Sequence, residues 1–460
     1  MNTRLKTIQT TEDLERHELN LAPYALKSKE RRKDLGESFR EAPTKAELEF
    51  RTEYHRDRDR ILWSKAFKRL QHKTQVFPHY VEDHYKRRLT HSLEVSQIAT
   101  TVARALTLNE TATEAIALGH DLGHTPFGHS GEEALNKILT LKSEAMDPQT
   151  TGYLENIRKR KANKIVPIFG FDHCVHAIEV VSRTEKEYDF ETSHGGFNLT
   201  FDVRDGILKH ICERTRVEEK QERPFSNIAD LTKFDKYKSF GANKGSLEAQ
   251  CVYFADKVTY LLGDIEDGVR CDILDCKALD GHPFIKEFLG KYYKKYRKSD
   301  LQHLNRTDFL LFRSNVLTTL ILNCIDNAKN NIEKSKIKNV DEVLSNDKRI
   351  VFLSDDLKKS WTDFYQEWMV NKLFKNDRVA ACSFKAEKIV TDLFSAYFEK
   401  QVLIDSEYYE HCLTVYKKIG ISDEKLLNLI IVRNYIAGMT DPFASDQHAR
   451  LYMALERIRF

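Results

Sequence analysis

The apolar residues of this chain recur at helical spacing through most of its length. In "THSLEVSQIATTVARAL" (90–106), Leu93, Ile98, Val102 and Leu106 fall near one face, and Thr90 stands where an N-cap belongs. After a short turn, "ETATEAIALGHDLGH" (110–124) is rich in Ala and Leu, which predicts a helix ending near Gly123. The most regular pattern is "GSLEAQCVYFADKVTYLLGDIEDG" (245–268). There Leu247, Cys251, Phe254, Val258, Leu261 and Ile265 recur at spacings of four and three. Asp256 projects from a different face of this helix, beside the apolar Val252 and Ala255.

Between these blocks, residues 141–168 are polar and basic and read as an insertion. "IVPIFGFDHCVHAIEVVSRTE" (165–185) then resumes a helix with His173 in its first turn. The Gly pair in "SHGGFNLTFDVRDGILKH" (193–210) predicts a turn feeding another helix. Residues 1–45 are highly charged and read as a loosely attached arm. Residues 46–280 form the core, and 281–460 alternate helical stretches with charged turns. No internal repeat or low-complexity tract interrupts the pattern. The fold class this predicts is all-α.

Composition narrows the function. With 73 basic and 70 acidic residues the net charge is +3, so no global basic bias points to nucleic acid or an acidic membrane. The N-terminus mixes both charges without an apolar stretch, and no run approaches the ~18 residues that span a bilayer. A cytoplasmic protein is expected. Eight scattered cysteines lack any CxxC spacing, and the nearest approach, "CDILDC" (271–276), fits neither a zinc knuckle nor a redox motif.

Histidine changes the picture. Seven of the 17 lie between His72 and His129, where uniform scatter would place about two. "GHDLGHTPFGHSGEEAL" (119–135) alone sets His120, His124 and His129 beside Asp121, Glu132 and Glu133. Imidazole and carboxylate are the usual ligands of a first-row divalent metal. His91 opens one helix and His120–Asp121 closes the next, so an antiparallel pair brings them together. Asp256 supplies a fourth ligand from the long downstream helix, since a buried acid is unfavourable unless paired or metal-bound.

The order H…HD…D resembles the HD-domain metal-dependent phosphohydrolases, an all-helical class. "RDRDRILWSKAFKRLQHKTQVF" (56–77), "RRLTHSLEVSQIA" (87–99), "GHDLGHTPFGHSGEEAL" (119–135), "GGFNLTFDVRDGILKH" (195–210) and "SLEAQCVYFADKVTYLLGDIEDG" (246–268) occur in sequence. Together they are similar to the deoxyguanosine triphosphate triphosphohydrolases and their broader dNTPase relatives. "AGMTDPFASD" (437–446) resembles a C-terminal segment of that family.

The resemblance implies an HD-domain helical bundle with an additional helical C-terminal region. It implies His91, His120, Asp121 and Asp256 as ligands of one divalent ion, Mn²⁺ or Mg²⁺. His129 would be the catalytic histidine, oriented by Glu132, with His124 and His173 lining a phosphate channel. Arg88 and Lys257 would contact phosphates, Tyr260 would sit against the 2′ carbon, and Gln75 and Asp264 would hold the 3′ hydroxyl. The implied reaction is hydrolysis of a dNTP at the α-phosphorus, releasing deoxynucleoside and tripolyphosphate.

Positive groups around an α-phosphoryl centre suit that chemistry, and "GANKGS" (241–246) lacks the spacing of a Walker A loop. The alternatives are another HD phosphohydrolase (a 5′-nucleotidase or phosphodiesterase) or a catalytically silent nucleotide-binding regulator. Relatives suggest a homo-oligomer, hexamer or tetramer, and an allosteric dNTP. "NIRKRKANK" (156–164) and "KYYKKYRK" (291–298) could bind that effector or, weakly, single-stranded nucleic acid, although a solvated helix face also accounts for them.

Overall fold

The computed structural model describes residues 10–42, 50–74, 87–140, 170–186, 195–210, 244–275 and 306–453, with short pieces at 148, 151–153, 155, 279 and 282–286. Helices α1 (Thr11–Glu18), α2 (Ser28–Leu35), α3 (Glu53–Trp63) and α4 (Lys65–Arg69) lead into an antiparallel pair, α5 (Arg88–Ala105) and α6 (Glu110–Gly119). Thr107 at φ 56° turns the chain between them, and the Asn109 side chain caps α6 by accepting from the Ala112 N–H at 3.0 Å. Then follow α7 (Gly128–Leu139), α8 (His173–Glu179), α9 (Phe201–Lys209) and the long α10 (Leu247–Arg270), capped by Ser246. Among the described residues there is no strand, only an isolated bridge between Thr74 and Arg87. The protein is all-α.

Helix α10 packs against both α5 and α6, and α3 flanks α6. Its six periodic apolar residues are all buried, and so are Val252 and Ala255 on the other face. It is therefore enclosed on nearly every side, so a carboxylate on it needs a partner.

The sequence pattern misplaces three details here. Helix α5 begins at Arg88, because the bridge holds Arg87 extended; Thr90 lies inside the first turn and accepts from the Arg87 N–H at 3.2 Å. Leu93 is half exposed, because the buried stripe runs through His91, Val95, Ile98 and Val102, on the opposite side of the helix. Helix α6 stops at Gly119 rather than near Gly123, and the chain from His120 onward turns.

The charged N-terminal segment is docked where it is described. Ala25 and Leu26 are fully buried, and Arg31 makes a buried pair with Asp202 of α9 at 2.8 Å. Arg40 reaches Glu53 at 2.6 Å and Asp57 at 2.7 Å. Two charges of the stretch that reads as a loosely attached arm, Arg31 and Arg40, are thus buried in pairs.

The C-terminal region comprises α11 (Arg306–Ser335), α12 (Val340–Leu344), α13 (Asp355–Phe364), a π-helical continuation through Tyr365–Leu373, α14 (Asp377–Glu399), α15 (Ser406–Lys418), α16 (Glu424–Gly438) and α17 (Asp441–Tyr452). Helix α14 rests on α7, with Lys137 bonded to Glu387 at 2.9 Å and Ser130 to Ser383 at 3.0 Å. Helices α16 and α17 pack in turn on α14.

Candidate active site

Three helices meet at one buried point. The first turn of α5 supplies Arg88 and His91, the turn after α6 supplies His120 and Asp121, and the middle of α10 supplies Asp256. His91 Nε2 lies 3.0 Å from Asp256 Oδ1 and 3.9 Å from Asp121 Oδ2. His120 Nε2 lies 3.4 Å from Asp121 Oδ1 and 3.8 Å from Asp256 Oδ1. Two donors side by side on an octahedral ion with ~2.1 Å bonds are about 3 Å apart, so these separations suit one.

One orphaned atom sharpens that fit. His120 Nδ1–H donates to the Ala117 carbonyl at 2.6 Å, which leaves the lone pair on Nε2. That Nε2 is fully buried and has no hydrogen-bond partner, yet it faces two carboxylates. An imidazole with one nitrogen tied to a carbonyl and the other waiting is the usual preparation for a metal. His91, His120 and Asp256 offer ligand atoms within 4.8 Å of one another.

Neighbouring groups keep the carboxyls ionised. Burial alone would raise Asp256, but its bond to His91 and the surrounding His91, His120 and Lys257 hold it far below the usual carboxylate range. Asp121 is likewise held down against burial by His120, His124 and Arg88, whose Nη1 donates to it at 3.0 Å.

Beside this point stands a second cluster. Helix α7 leaves a tight loop at Phe127 and Gly128, both with positive φ, so His129 projects from its first turn. Glu132 sits one turn on, with Oε2 3.2 Å from His129 Nδ1 and Oε1 accepting from His173 Nδ1 at 3.0 Å. His124 stacks on His173 with ring centres 3.8 Å apart and donates from Nε2 to Asp121 at 3.0 Å. Burial, then Arg88, pushes His124 well below the ordinary imidazole range.

The HD-domain pattern matches residues 88–261, and that of the phosphohydrolase-associated domain matches residues 353–450. Deoxyguanosinetriphosphate triphosphohydrolase-like proteins of Brucella anthropi, Thiobacillus denitrificans and Rickettsia rickettsii are 34%, 33% and 32% identical over 403, 441 and 428 residues. The alignments take in 87%, 96% and 91% of this chain and 90%, 99% and 95% of those relatives. The chain belongs to the deoxyguanosinetriphosphate triphosphohydrolase-like family.

This family member is thus an HD-domain phosphohydrolase, a metal-dependent class, and its His/Asp cluster lies inside the matched span. Among the described residues, no helix is long and apolar enough to cross a membrane. Tyr260 on α10 faces His129 with ring centres 6.1 Å apart, and Asp264 is buried one turn further on. Lys257 is part-exposed, its ammonium 5.7 Å from the Tyr253 ring centre. Gln75 lies outside the described residues, as do the basic stretches 156–164 and 291–298 and nearly all of 141–168.

Several residues of this candidate site escape the sequence reading. His210, last in the quoted "GILKH", stands edge-on to His120 with ring centres 5.1 Å apart and 5.8 Å from that of His173. Its Nδ1–H donates to the Ile207 carbonyl, and burial, then His120 and His173, pushes it down to about 3. Tyr365 and Phe374 form an aromatic wall around Tyr260, at 6.5 and 6.4 Å. A π-helical register near Tyr365 leaves no period to find them by.

Proposed function

We infer that the protein hydrolyses deoxynucleoside triphosphates at the α-phosphorus, releasing deoxynucleoside and tripolyphosphate. The observation that carries this reading is the adjacency of two clusters: His91, His120, Asp121 and Asp256 on one side, and His129 with Glu132 on the other. dGTP is the first substrate to try, because the relatives are named for it.

The first cluster would hold a divalent ion, Mn²⁺ or Mg²⁺, which when bound would supply positive charge for the phosphoryl oxygens and lower the pKa of water. Arg88 and Lys257 add fixed charge on the same side, as does any proton shared among the imidazoles. Water forms a bond to the α-phosphorus, and the bond to the 5′ oxygen breaks. His129 gives that oxygen its proton, because the Glu132 carboxylate behind Nδ1 stabilises the imidazolium. His124 and His173, stacked and held by Asp121 and Glu132, line the path of the leaving tripolyphosphate.

Tyr260 favours a 2′-deoxy substrate over its ribo counterpart in this reading. A ring beside His129 crowds the sugar face, where a 2′ hydroxyl would need room. Asp264, with Gln75, holds the 3′ hydroxyl in this reading. A homo-oligomer and an effector dNTP complete it.

Product analysis tests the reading. The metal-free protein is incubated with each dNTP, with and without Mn²⁺ or Mg²⁺, and nucleosides and phosphates are resolved by chromatography. Deoxynucleoside plus tripolyphosphate, only with metal, is expected. Monophosphate plus pyrophosphate, or single phosphates, would replace it with the alternative.

A further inference from the structure

The last described helix reaches back to the loop that launches His129. Asp441, the first residue of α17, is 2% exposed, and both of its oxygens are in use. Oδ1 accepts from the Phe127 N–H at 2.8 Å, and Oδ2 accepts from the Thr74 N–H at 2.9 Å. Lys73, next to Thr74, donates from its buried ammonium to the Ala437 carbonyl at 2.9 Å and to the His124 carbonyl. Three stretches far apart in the chain, 73–74, 124–127 and 437–441, are therefore bonded into one knot.

Phe127 is the residue on which this knot acts most directly. It has φ 61° and ψ 21°, a left-handed conformation that a β-carbon disfavours. It is also the N-cap of α7, and its own side chain makes no cap hydrogen bond. His129 is the second residue of the helix, so the direction in which α7 leaves Phe127 sets where the imidazole points. A buried carboxylate on a backbone N–H is a strong, directional hold.

We propose that Asp441 is a positioning residue for His129: by fixing Phe127 it sets the aim of the imidazole. The effect on turnover rests on the reaction proposed above; the hold on the loop does not. The phosphohydrolase-associated region would then complete the site from outside the HD domain, without touching substrate.

The test compares full-length Asp441→Asn and Asp441→Ala with Asp392→Asn. Asp392 binds His448 at 2.8 Å and Lys388 at 2.7 Å on the same C-terminal helices, away from the loop. Steady-state kinetics, bound metal, melting temperature and amide exchange across 121–131 are measured for each. In the Asp441 variants kcat should fall about tenfold or more, with KM within about twofold, metal content unchanged and exchange across 121–131 faster. Asp392→Asn should lower the melting temperature yet keep kcat.

A folded Asp441 variant with kcat within about twofold of wild type would overturn the proposal. So would a kcat loss that Asp392→Asn matches at equal loss of melting temperature. Where the Asp441 variants do not fold, Phe127→Gly loosens the same backbone point with Asp441 in place. It should lower kcat in the same sense, and unchanged kcat would count against the idea. If wild type turns over no dNTP, the proposed reaction fails, and the exchange arm decides alone. Unchanged exchange across 121–131 in Asp441→Asn then refutes the hold.

Discussion

Glu132 Oε2 lies 3.2 Å from His129 Nδ1 across one turn of α7, the carboxylate buried and the imidazole side chain 40% exposed. The acid is thus fixed in the protein while the ring reaches toward solvent. Glu132→Gln keeps the size and a hydrogen-bonding oxygen but removes the charge that favours a protonated ring. Its kcat should fall by about 10–100-fold, and His129→Ala should fall further, by roughly 10²–10⁴-fold. Both should retain metal. Steady-state assays with metal analysis check this, and wild-type kcat in either variant would remove the pair from the mechanism.

Asp256 gives the opposite signature. It faces both His91 and His120, so Asp256→Ala should lose bound metal and activity together. Elemental analysis after gel filtration distinguishes it from His129→Ala. Chelation should also lower the melting temperature of the wild type, because an ion bound only by the native state adds roughly 3 kcal/mol at 100-fold above its Kd. A melting curve indifferent to chelator and to added Mn²⁺ would argue against a metal at this point.

Gly123 permits the loop to lie directly on α8. A β-carbon there would meet the His173 carbonyl oxygen at 2.0 Å and the Ala177 nitrogen at 2.3 Å, both backbone atoms that cannot swing aside. Gly123→Ala should therefore cost about 3 kcal/mol in urea unfolding, at the upper end of overpacking effects. Activity should drop as well, since Asp121 and His124 flank the displaced residue. Wild-type stability would mean that the loop and α8 separate easily.

Glu248 gives the fold a pH dependence. It is fully buried on α10, where Oε1 accepts from the Leu26 N–H at 2.9 Å and the Asn109 N–H at 3.2 Å, while Oε2 has no partner. Burial pushes its carboxyl up to about 7 from 4.5. The native state thus keeps a proton that the unfolded chain releases between those values. The stability this contributes is complete below pH 4.5 and lost as pH rises through about 7. Glu248→Gln cannot ionise, so at pH 8 it should be more stable than wild type, by up to about 3 kcal/mol. The urea curves should converge toward pH 5. A variant less stable at both values would show that the native carboxyl stays ionised.

The sequence makes the scaffold of the site legible because its parts are local and periodic. His91 on one helix and His120–Asp121 after the next need only a short turn to meet, and α5 and α6 provide it. Asp256 stands out because a carboxylate interrupts apolar neighbours on a helix that is buried on nearly every side. Legibility fails where the contact is made by backbone or across long separations. Leu93 looks apolar and inward, but only the register of His91 and Val95 says which side is in. His210 and Asp441 both lie within stretches singled out by their likeness to a family, yet neither pattern says what the residue touches. Phe127 meets Asp441 at a separation of 314 residues, through a main-chain N–H that no side-chain motif can encode.

That separation also has a meaning in time. All four residues of the His/Asp cluster have been synthesised by position 256, whereas the acceptor for Phe127 follows 185 residues later. At ~5–20 residues per second this is an interval of about 10 to 40 s. For that long, a chain emerging from the ribosome lacks the carboxylate that accepts from the Phe127 N–H. Synthesis thus delivers the four His/Asp residues first and the acceptor for the loop before His129 last.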